Sequence, residues 1–194
     1  MIRRFRPGDR AEVYEVCLRT ANAGADATGL YSSDDLMPEL FAGPYLEFEP
    51  ELAFVVHGGG RVGGYVLGTS DTRAFVSWYR EHWMPRLDRF DGGQMGETEG
   101  AMLKLGRQPE HMLIPEVDEY PAHLHIDLLP DLQGRGVGRK LINTLLGALR
   151  ARGVQRVHLA MDPANRGARA FYDRLGFHEL PSSTPTEPVL GIAT

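Results

Sequence analysis

The sequence predicts a single mixed α/β (α+β) domain, in which helices flank a central sheet of about six to seven strands. Two short strands separated by a glycine-rich turn at 57–61 predict an antiparallel hairpin. A later strand leads through a glycine-rich loop at 133–138 into an amphipathic helix, and a second strand and helix follow. With 194 residues one core accounts for the whole chain, so 1–194 is expected to be one domain.

Near the N-terminus the sequence predicts a strand, a helix and a long irregular connection. Ile2–Phe5 is the first strand, and Pro7-Gly8-Asp9 ends it and caps a helix with Cys17 on its apolar face. Turn-forming residues dominate 20–50, apart from a short helix predicted over 34–41. We therefore expect this connection to lie on the surface.

The hairpin and a helical insertion come next. Leu52–Val56 and Val62–Gly68 are the two antiparallel strands. Residues 71–119 are predicted to form an insertion that packs on the domain. It carries four aromatic residues at roughly helical spacing, Phe75, Trp78, Tyr79 and Trp83. Packing of the insertion onto the sheet is the favoured role for them, and an acceptor pocket, a sugar platform and a dimer surface are the alternatives.

The second half of the chain completes the predicted sheet. Residues 123–128 alternate with period two, so His123, His125 and Asp127 share one face of a strand. A leucine-rich stripe at 141–149 predicts a helix, which Gly153 ends. The remaining predicted elements are a strand at 157–161, a helix at 165–175, and strands at 177–180 and 189–192.

Composition excludes several classes of function. The net charge of −5 argues against nucleic acid or anionic membranes as partners, because such binding needs clustered cations. No apolar run is long enough to span a bilayer, and no signal peptide precedes the first strand. A single cysteine excludes an internal disulfide and indicates a reducing compartment, so we expect a cytoplasmic protein.

The loop at 133–138 carries the strongest chemical signal. Gly134, Gly136 and Gly138 allow backbone N–H groups to approach a ligand, and the following helix N-terminus adds positive potential, so the loop predicts a diphosphate site. Its spacing matches neither the dinucleotide fingerprint nor the Walker loop. Arg135 and Arg139 are candidates for further phosphate contacts, with solvated cations as the alternative.

Two motifs resemble the GNAT N-acetyltransferases. Gln133–Gly138 matches the family's Q/R-x-x-G-x-G/A signature, and Asn165–Phe177 is similar to its N-x-x-A-x-x-F-Y-x-x-x-G-F block. The resemblance implies acetyl-CoA as the donor, a primary amine as the acceptor, and no metal. It also implies a sheet that splays between strands 4 and 5, after Leu128. A second copy of the chain is a further expected partner.

A narrower resemblance covers most of the chain. Residues 44–55, 64–71 and 83–85 are similar to the acetyltransferase-like C-terminal domain of animal protein O-GlcNAcase and its bacterial stand-alone relatives. The animal domain is generally held to lack the cofactor-gripping glycines. This chain retains them, which favours cofactor binding here.

The GNAT resemblance also implies roles for particular residues. The pantetheine arm would pair with backbone groups of Ile126, Asp127 and Leu128, and the N–H of Leu128 would stabilise the oxyanion. Asn165 would contact the arm, and Tyr172 would protonate the departing thiolate. The family pattern places the cofactor against the strand, the loop and the second helix, that is, against Ile126, Asp127, Leu128, Gln133, Gly134, Arg135, Gly136, Val137, Gly138, Arg139, Asn165 and Tyr172.

Each candidate also has a structural interpretation. Tyr172 lies on an apolar helix face, and Asn165 is a favoured N-cap. Of the three polar residues on the strand, Asp127 is slightly favoured as a pocket carboxylate or base, although a water relay would make all three dispensable. A metal site and a nucleophilic Cys17 are disfavoured. Four further residues could line a cleft for the acceptor amine, but exposed positions on loops are favoured for them: Tyr31, Asp34, Asp35 and Asp71.

Two functions therefore compete. The first is an acetyl-CoA-dependent N-acetyltransferase that transfers acetyl directly to an amine. The second is a non-catalytic module that binds acyl-CoA and acts as a sensor or interaction domain. Both need the three glycines, but only the first needs Tyr172 and a productive acceptor site.

Overall fold

The computed structural model describes residues 1–91 and 96–194, and its centre is one seven-stranded mixed sheet. Seven helices flank the sheet in the described chain: α1 Arg10–Leu18, α2 Leu36–Phe41, α3 Gly43–Phe48, α4 Thr72–Trp78, α5 Glu97–Gly106, α6 Val137–Ala151 and α7 Arg166–Leu175. The strands are β1 Ile2–Arg4, β2 Phe54–Gly58, β3 Arg61–Thr69, β4 Ala122–Leu128, β5 Arg156–Ala160, β6 His178–Glu179 and β7 Val189–Ala193.

The strand order is β1-β2-β3-β4-β5-β7-β6, and only β4 and β5 run parallel. The first four strands form an antiparallel run, which includes the hairpin predicted from the glycine-rich turn. β7 lies between β5 and β6 and pairs with both. The predicted mixed sheet with flanking helices is confirmed.

Two apolar layers cover the sheet. α6 packs five leucine and isoleucine side chains on one face, where α7 adds Tyr172. The opposite face receives α1, α3 and α4, with Cys17 buried as predicted. Because side chains alternate along β4, its even-numbered residues face α6, and His123, His125 and Asp127 face α1.

The connection at 20–50 is not the surface excursion that its composition predicts. The expected short helix is present as α2, but α3 follows directly, and both helices bury apolar side chains. Leu36 and Leu40 pack against Leu87, Phe90 and Leu103 of the insertion. Most of the turns lie within 20–35, and the apolar residues after them fill the space between α1 and the insertion.

The insertion between β3 and β4 contains α4, a π-helical turn at Tyr79–Trp83, two 3-10 segments and α5. Residues 92–95 of the predicted 71–119 segment lie outside the described residues. Phe75, Tyr79 and Trp83 are buried in the layer that covers the sheet, and Phe75 and Tyr79 also line the cavity described below. Within the described ranges, no helix has both the length and the hydropathy needed to cross a bilayer.

Candidate active site

An opening between β4 and β5 is the centre of the candidate site. These two strands pair at only two positions, Ala122 with Val157 and His123 with His158. The predicted splay between the fourth and fifth strands is present, but it begins after His123, whereas the sequence placed it after Leu128. On its other edge β5 is fully paired, since all five of its residues pair with β7, so the opening is confined to the side that faces β4.

The register of β3 and β4 decides which backbone groups face the opening. The N–H of Leu129 donates to the carbonyl of Gly63 at 2.9 Å, so Asp127 and Tyr65 form the next hydrogen-bonded pair. The backbone of Asp127 is therefore used by β3, contrary to the expectation that it pairs with a ligand. Ile126 and Leu128 direct their backbone groups toward the opening.

Gln133 forms a hydrogen bond with the backbone of β4 at the opening. Its Nε2 donates to the carbonyl oxygen of Leu128 at 2.8 Å. The carbonyl of Leu128 is thus occupied, and its N–H is the group left facing the opening. Gln133 also ties the start of the glycine-rich loop to the end of β4, which explains a polar residue at this position independently of any ligand.

The loop after β4 presents a run of unused donors. Gly134 and Gly136 have φ angles of +71° and +72°, which glycine adopts at little cost. Gly136 is the N-cap of α6, where no side chain provides a cap. Within the described chain, the amide N–H groups of residues 134–139 donate no hydrogen bond. These free amides and the helix N-terminus are the features that the predicted anion site requires.

Gly138 has a different function from the other two glycines. It lies within the first turn of α6 and is buried. A Cβ there would meet the ring of Phe171 at 2.9 Å and the side chain of Leu128 at 3.3 Å. Gly138 therefore has a packing role that the sequence did not indicate, because its missing side chain lets α6 approach α7 closely.

The flanking residues of the loop are arranged less specifically. Arg135 and Arg139 are exposed, and Arg139 donates to the carbonyl oxygen of Arg174 at 3.1 Å. This bond links the first turn of α6 to the end of α7. Val137 is half-buried and packs its side chain against the apolar core under the sheet.

α7 carries the two candidates from the second motif. Asn165 is its N-cap, because Oδ1 accepts from the N–H of Ala168 at 2.9 Å. Nδ2 of Asn165 donates to no residue that the structure describes, so capping leaves it available for a ligand. Asn165 also lines the cavity described below.

Tyr172 is buried between the rings of Phe171 and Phe177. Its hydroxyl makes no hydrogen bond within residues 1–91 and 96–194. Burial raises the pKa of Tyr172 far above its ordinary value, and the negative charge of Asp127 adds to that rise. The hydroxyl therefore keeps its proton at neutral pH, and no described protein group competes for that proton.

Asp127 is held by a phenol from the neighbouring strand. The hydroxyl of Tyr65 donates to Oδ2 of Asp127 at 2.5 Å. Burial raises the pKa of Asp127 above its ordinary value, while hydrogen bonds from Tyr65 and Thr20 lower it. Cys17 lies beside this pair, and burial raises the pKa of its thiol strongly, which fits the predicted buried thiol and not a nucleophile.

His123 and His125 share the face of Asp127, as predicted, but both are hydrogen-bonded to protein. Nε2 of His123 lies 2.7 Å and Nε2 of His125 3.0 Å from the hydroxyl of Tyr45. Burial lowers the pKa of His123 well below its ordinary value and that of His125 to about 4. Among the described residues, no group of His, Cys, Asp and Glu side chains could hold a metal ion.

A cavity of about 440 Å³ is lined by Asp127, Asn165, His123, His125 and Cys17, whereas Tyr172 and the loop at 133–138 are not part of its described lining. It extends from Asp127 and Asn165 at the opening into a largely apolar region under the insertion. That region is formed by residues of α2, α5 and the 3-10 segment after α5: Met37, Leu40, Phe41, Met102, Leu105, Met112 and Ile114. The four residues considered for a cleft are not among its described lining, and Asp71 caps α4 through the N–H of Ala74.

Sequence reasoning missed two residues of this site. Tyr65 reaches Asp127 because the two residues are cross-strand partners, so the register of two predicted strands could have indicated it. Tyr45 comes from a helix that the turn-rich composition concealed, and it contacts His123 and His125 only in the folded chain. No local pattern could have placed Tyr45 here.

Comparisons with known proteins agree on one family. The model of the acetyltransferase (GNAT) family matches residues 25–177. The [ribosomal protein bS18]-alanine N-acetyltransferase of Salmonella typhimurium is 32% identical over 120 residues, which are 59% of this chain and 79% of that protein. Mycothiol acetyltransferase of Beutenbergia cavernae is 52% identical over 48 residues, but these span 25% of this chain and only 16% of that protein.

Solved structures extend the likeness to the whole chain. The crystal structure of SsHAT has a TM-score of 0.90 and 50% identity, and the match covers 100% of this chain and 97% of that one. The PaiA N-acetyltransferase of Thermoplasma acidophilum, solved in complex with coenzyme A, has a TM-score of 0.61 over 100% of this chain and 98% of its own. At 12% identity, that second likeness shows the fold alone.

Proposed function

The chain belongs to the acetyltransferase (GNAT) family, and on that premise we propose that it transfers an acetyl group from acetyl-CoA to a primary amine. The observation that carries the proposal is the run of unused amides at 134–139, which lies beside the opening between β4 and β5. An anion site next to a splayed sheet edge suits a ligand that has a diphosphate at one end and an amide-containing arm at the other.

The proposed donor occupies groups that this chain leaves free. The amides of residues 134–139 hold the diphosphate, and the positive end of α6 adds to its binding. Along the arm, the backbone groups of Ile126 and the N–H of Leu128 provide strand-like pairing. Nδ2 of Asn165 donates to the arm while Oδ1 keeps its cap on α7.

Three groups are then positioned for the transfer. The N–H of Leu128 stabilises the oxyanion that forms when the amine attacks the acetyl carbonyl. Tyr172, protonated and without a protein acceptor, protonates the departing thiolate. Asp127 contributes a carboxylate to the wall of the cavity, which favours entry of a cationic amine.

The finer kinship with the acetyltransferase-like domain of O-GlcNAcase is part of the same proposal. It is supported by the motifs at 44–55, 64–71 and 83–85. If it holds, this chain represents a form of that domain in which Gly134 and Gly136 keep the phosphate site intact.

Thiol release from acetyl-CoA across an amine panel tests the proposal. The panel comprises a lysine peptide, an N-terminal alanine peptide, an aminosugar, a polyamine and an arylalkylamine, and mass spectrometry confirms each acetylated product. We expect turnover with at least one amine and a strong loss in the variant Tyr172→Phe. Calorimetric binding of CoA without turnover on any amine would contradict the proposal and favour a non-catalytic acyl-CoA sensor.

A further inference from the structure

A chain of hydrogen bonds fixes the protonation of the two histidines on β4. Thr72 is its first member, and its hydroxyl donates to the carbonyl oxygen of Pro121 at 2.7 Å. The same carbonyl accepts the backbone N–H of Thr72 at 2.7 Å, and its two lone pairs accommodate both donors. With the hydroxyl proton of Thr72 on that carbonyl, Nδ1 of His123, 2.8 Å from the same hydroxyl oxygen, is the donor in its bond with Thr72.

The hydroxyl of Tyr45 links the two histidines, so the tautomer of His123 determines the tautomer of His125. His123 is neutral because burial lowers its pKa, so with the proton on Nδ1 its Nε2 is an acceptor. Tyr45, at 2.7 Å, donates its only proton to that nitrogen. The oxygen of Tyr45 then accepts from Nε2 of His125 at 3.0 Å, which places the proton of His125 on Nε2.

The remaining nitrogen of His125 is consequently an unprotonated acceptor. Nδ1 makes no hydrogen bond in the described chain. Every fully buried side-chain nitrogen or oxygen there has a partner, so Nδ1 retains accessible surface. His125 lines the cavity that contains Asp127, and Phe41 packs edge-on against its ring.

We propose that Nδ1 of His125 accepts the proton that the acceptor amine loses as it attacks the acetyl carbonyl, with Tyr45 and His123 as positioning residues that hold the required tautomer. This inference rests on the proposed acetyl transfer. The C–N bond forms and the C–S bond breaks, the nitrogen's proton passes to Nδ1, and the thiolate takes the hydroxyl proton of Tyr172. Water then removes the proton from His125 and restores that of Tyr172.

Within the described residues, His125 has an acceptor atom without a hydrogen-bond partner, which a general base needs and which distinguishes it from Asp127. Both side chains line the cavity, but Asp127 already accepts the hydroxyl proton of Tyr65. The other titratable groups that line the cavity are Tyr45 and Tyr79 from the α3 and α4 side, His111 after α5, Cys17 of α1, His123 of β4, His158 of β5, and Asp162 and Glu187 at the opening. Nδ1 of His158 is engaged by the carbonyl of Tyr120 at 2.8 Å.

Two variants distinguish the proposed base, His125, from the positioning residue Tyr45. His125→Gln keeps an amide N–H that can donate to Tyr45 but has no basic nitrogen, so the rest of the chain of bonds survives. Tyr45→Phe keeps the imidazole and removes the link that fixes its tautomer. Tyr14→Phe is the control, because it deletes another half-buried phenol, bonded to Glu39 at 3.0 Å, outside the described cavity lining.

The experiment measures single-turnover acetyl transfer with the best amine of the panel, CoA affinity by calorimetry, and the ¹⁵N shifts of His125 by NMR. We expect His125→Gln to lose about 100-fold or more in the transfer rate, with CoA affinity within about twofold of the wild type. Tyr45→Phe should lose less and show mixed tautomers of His125, and Tyr14→Phe should match the wild type.

Three results would contradict these expectations in distinguishable ways. A wild-type transfer rate in His125→Gln, or a proton on Nδ1 of His125 in the wild-type spectrum, would overturn the role of His125 and leave acetyl transfer standing. Absence of transfer by the wild-type protein to every amine would overturn the proposed function, and the role of His125 would fall with it.

Discussion

Replacing Gly136 by glutamate tests the phosphate site most directly. Gly136 has a φ angle of +72° and open space around its missing Cβ, so a larger residue adds backbone strain but no clash. Gly153, at the end of α6, has a φ angle of +79° and the same open surroundings. Both substitutions should cost about 1–2 kcal/mol of unfolding free energy, because left-handed backbone disfavours a side chain.

Only Gly136→Glu should affect CoA. A carboxylate about 4 Å from a phosphate charge is repelled by about 1 kcal/mol in bulk water and about 4 kcal/mol near a protein surface. With about 1.4 kcal/mol for each factor of ten, this predicts a Kd between about fivefold and about 1,000-fold weaker. For Gly153→Glu, far along the same helix, we expect a Kd within about twofold of the wild type.

Isothermal titration with CoA and thermal melts of both variants measure the two effects separately. Both melts should shift to lower temperature, with the larger shift for Gly153→Glu because a carboxylate at the C-terminal end of α6 opposes the helix dipole, and the titrations should differ. Wild-type affinity in Gly136→Glu, with the expected loss of stability, would place the diphosphate away from the amides of residues 134–139. Equal losses of affinity in both variants would refute the local electrostatic argument.

Three further predictions concern Tyr172, the α6–α7 contact and Asp127. Tyr172→Phe should lower kcat by about 100-fold or more and leave CoA affinity and stability nearly unchanged, since the hydroxyl bonds no described residue; steady-state kinetics and melts check this. Gly138→Ala should lower the free energy of unfolding by about 1–3 kcal/mol, because the added methyl group clashes with Phe171. The control Gly147→Ala meets open space in the same helix and should raise the free energy of unfolding by up to about 1 kcal/mol. The raised pKa of Asp127 means that its ionisation opposes folding as pH rises above 3.8, so Asp127→Asn should raise Tm at pH 7 and lose that gain in acid.

Each of these has a result that would count against it. Full kcat in Tyr172→Phe would remove the tyrosine from proton transfer. Equal melting temperatures for Gly138→Ala and Gly147→Ala would show that α7 yields to the extra methyl group. A Tm for Asp127→Asn that is below the wild type at pH 7 would mean that the hydrogen bond from Tyr65 outweighs the cost of burying the charge.

Local patterns predicted the elements whose period is visible in the sequence. The hairpin of β2 and β3, the alternating strand β4 and the leucine stripe of α6 are all present close to their expected bounds. α3 was missed, because Gly43 and Pro44 at its start read as turn residues. The buried face of α2 was also missed, since its partners Leu87 and Leu103 are distant in sequence.

The parts of the candidate site that are built from neighbouring residues in the sequence were predictable. The loop at 133–138 and the cap at Asn165 have local signatures, so the sequence identified both. The start of the splay depends on where β4 stops pairing with β5, which is distant in sequence, and the hydrogen bonds of His125 depend on Tyr45 from a distant helix. Such contacts between remote segments leave no spacing in the sequence that could indicate them.

The position of β7 has a consequence for biogenesis. During synthesis β5 and β6 emerge before the strand that separates them, so the outer edge of β5 is unpaired until Val189–Ala193 is available. That edge carries buried apolar side chains, Val157 and Leu159, and an exposed edge of this kind invites pairing with other nascent chains. Self-association during expression should therefore be most severe for chains interrupted between residues 180 and 189.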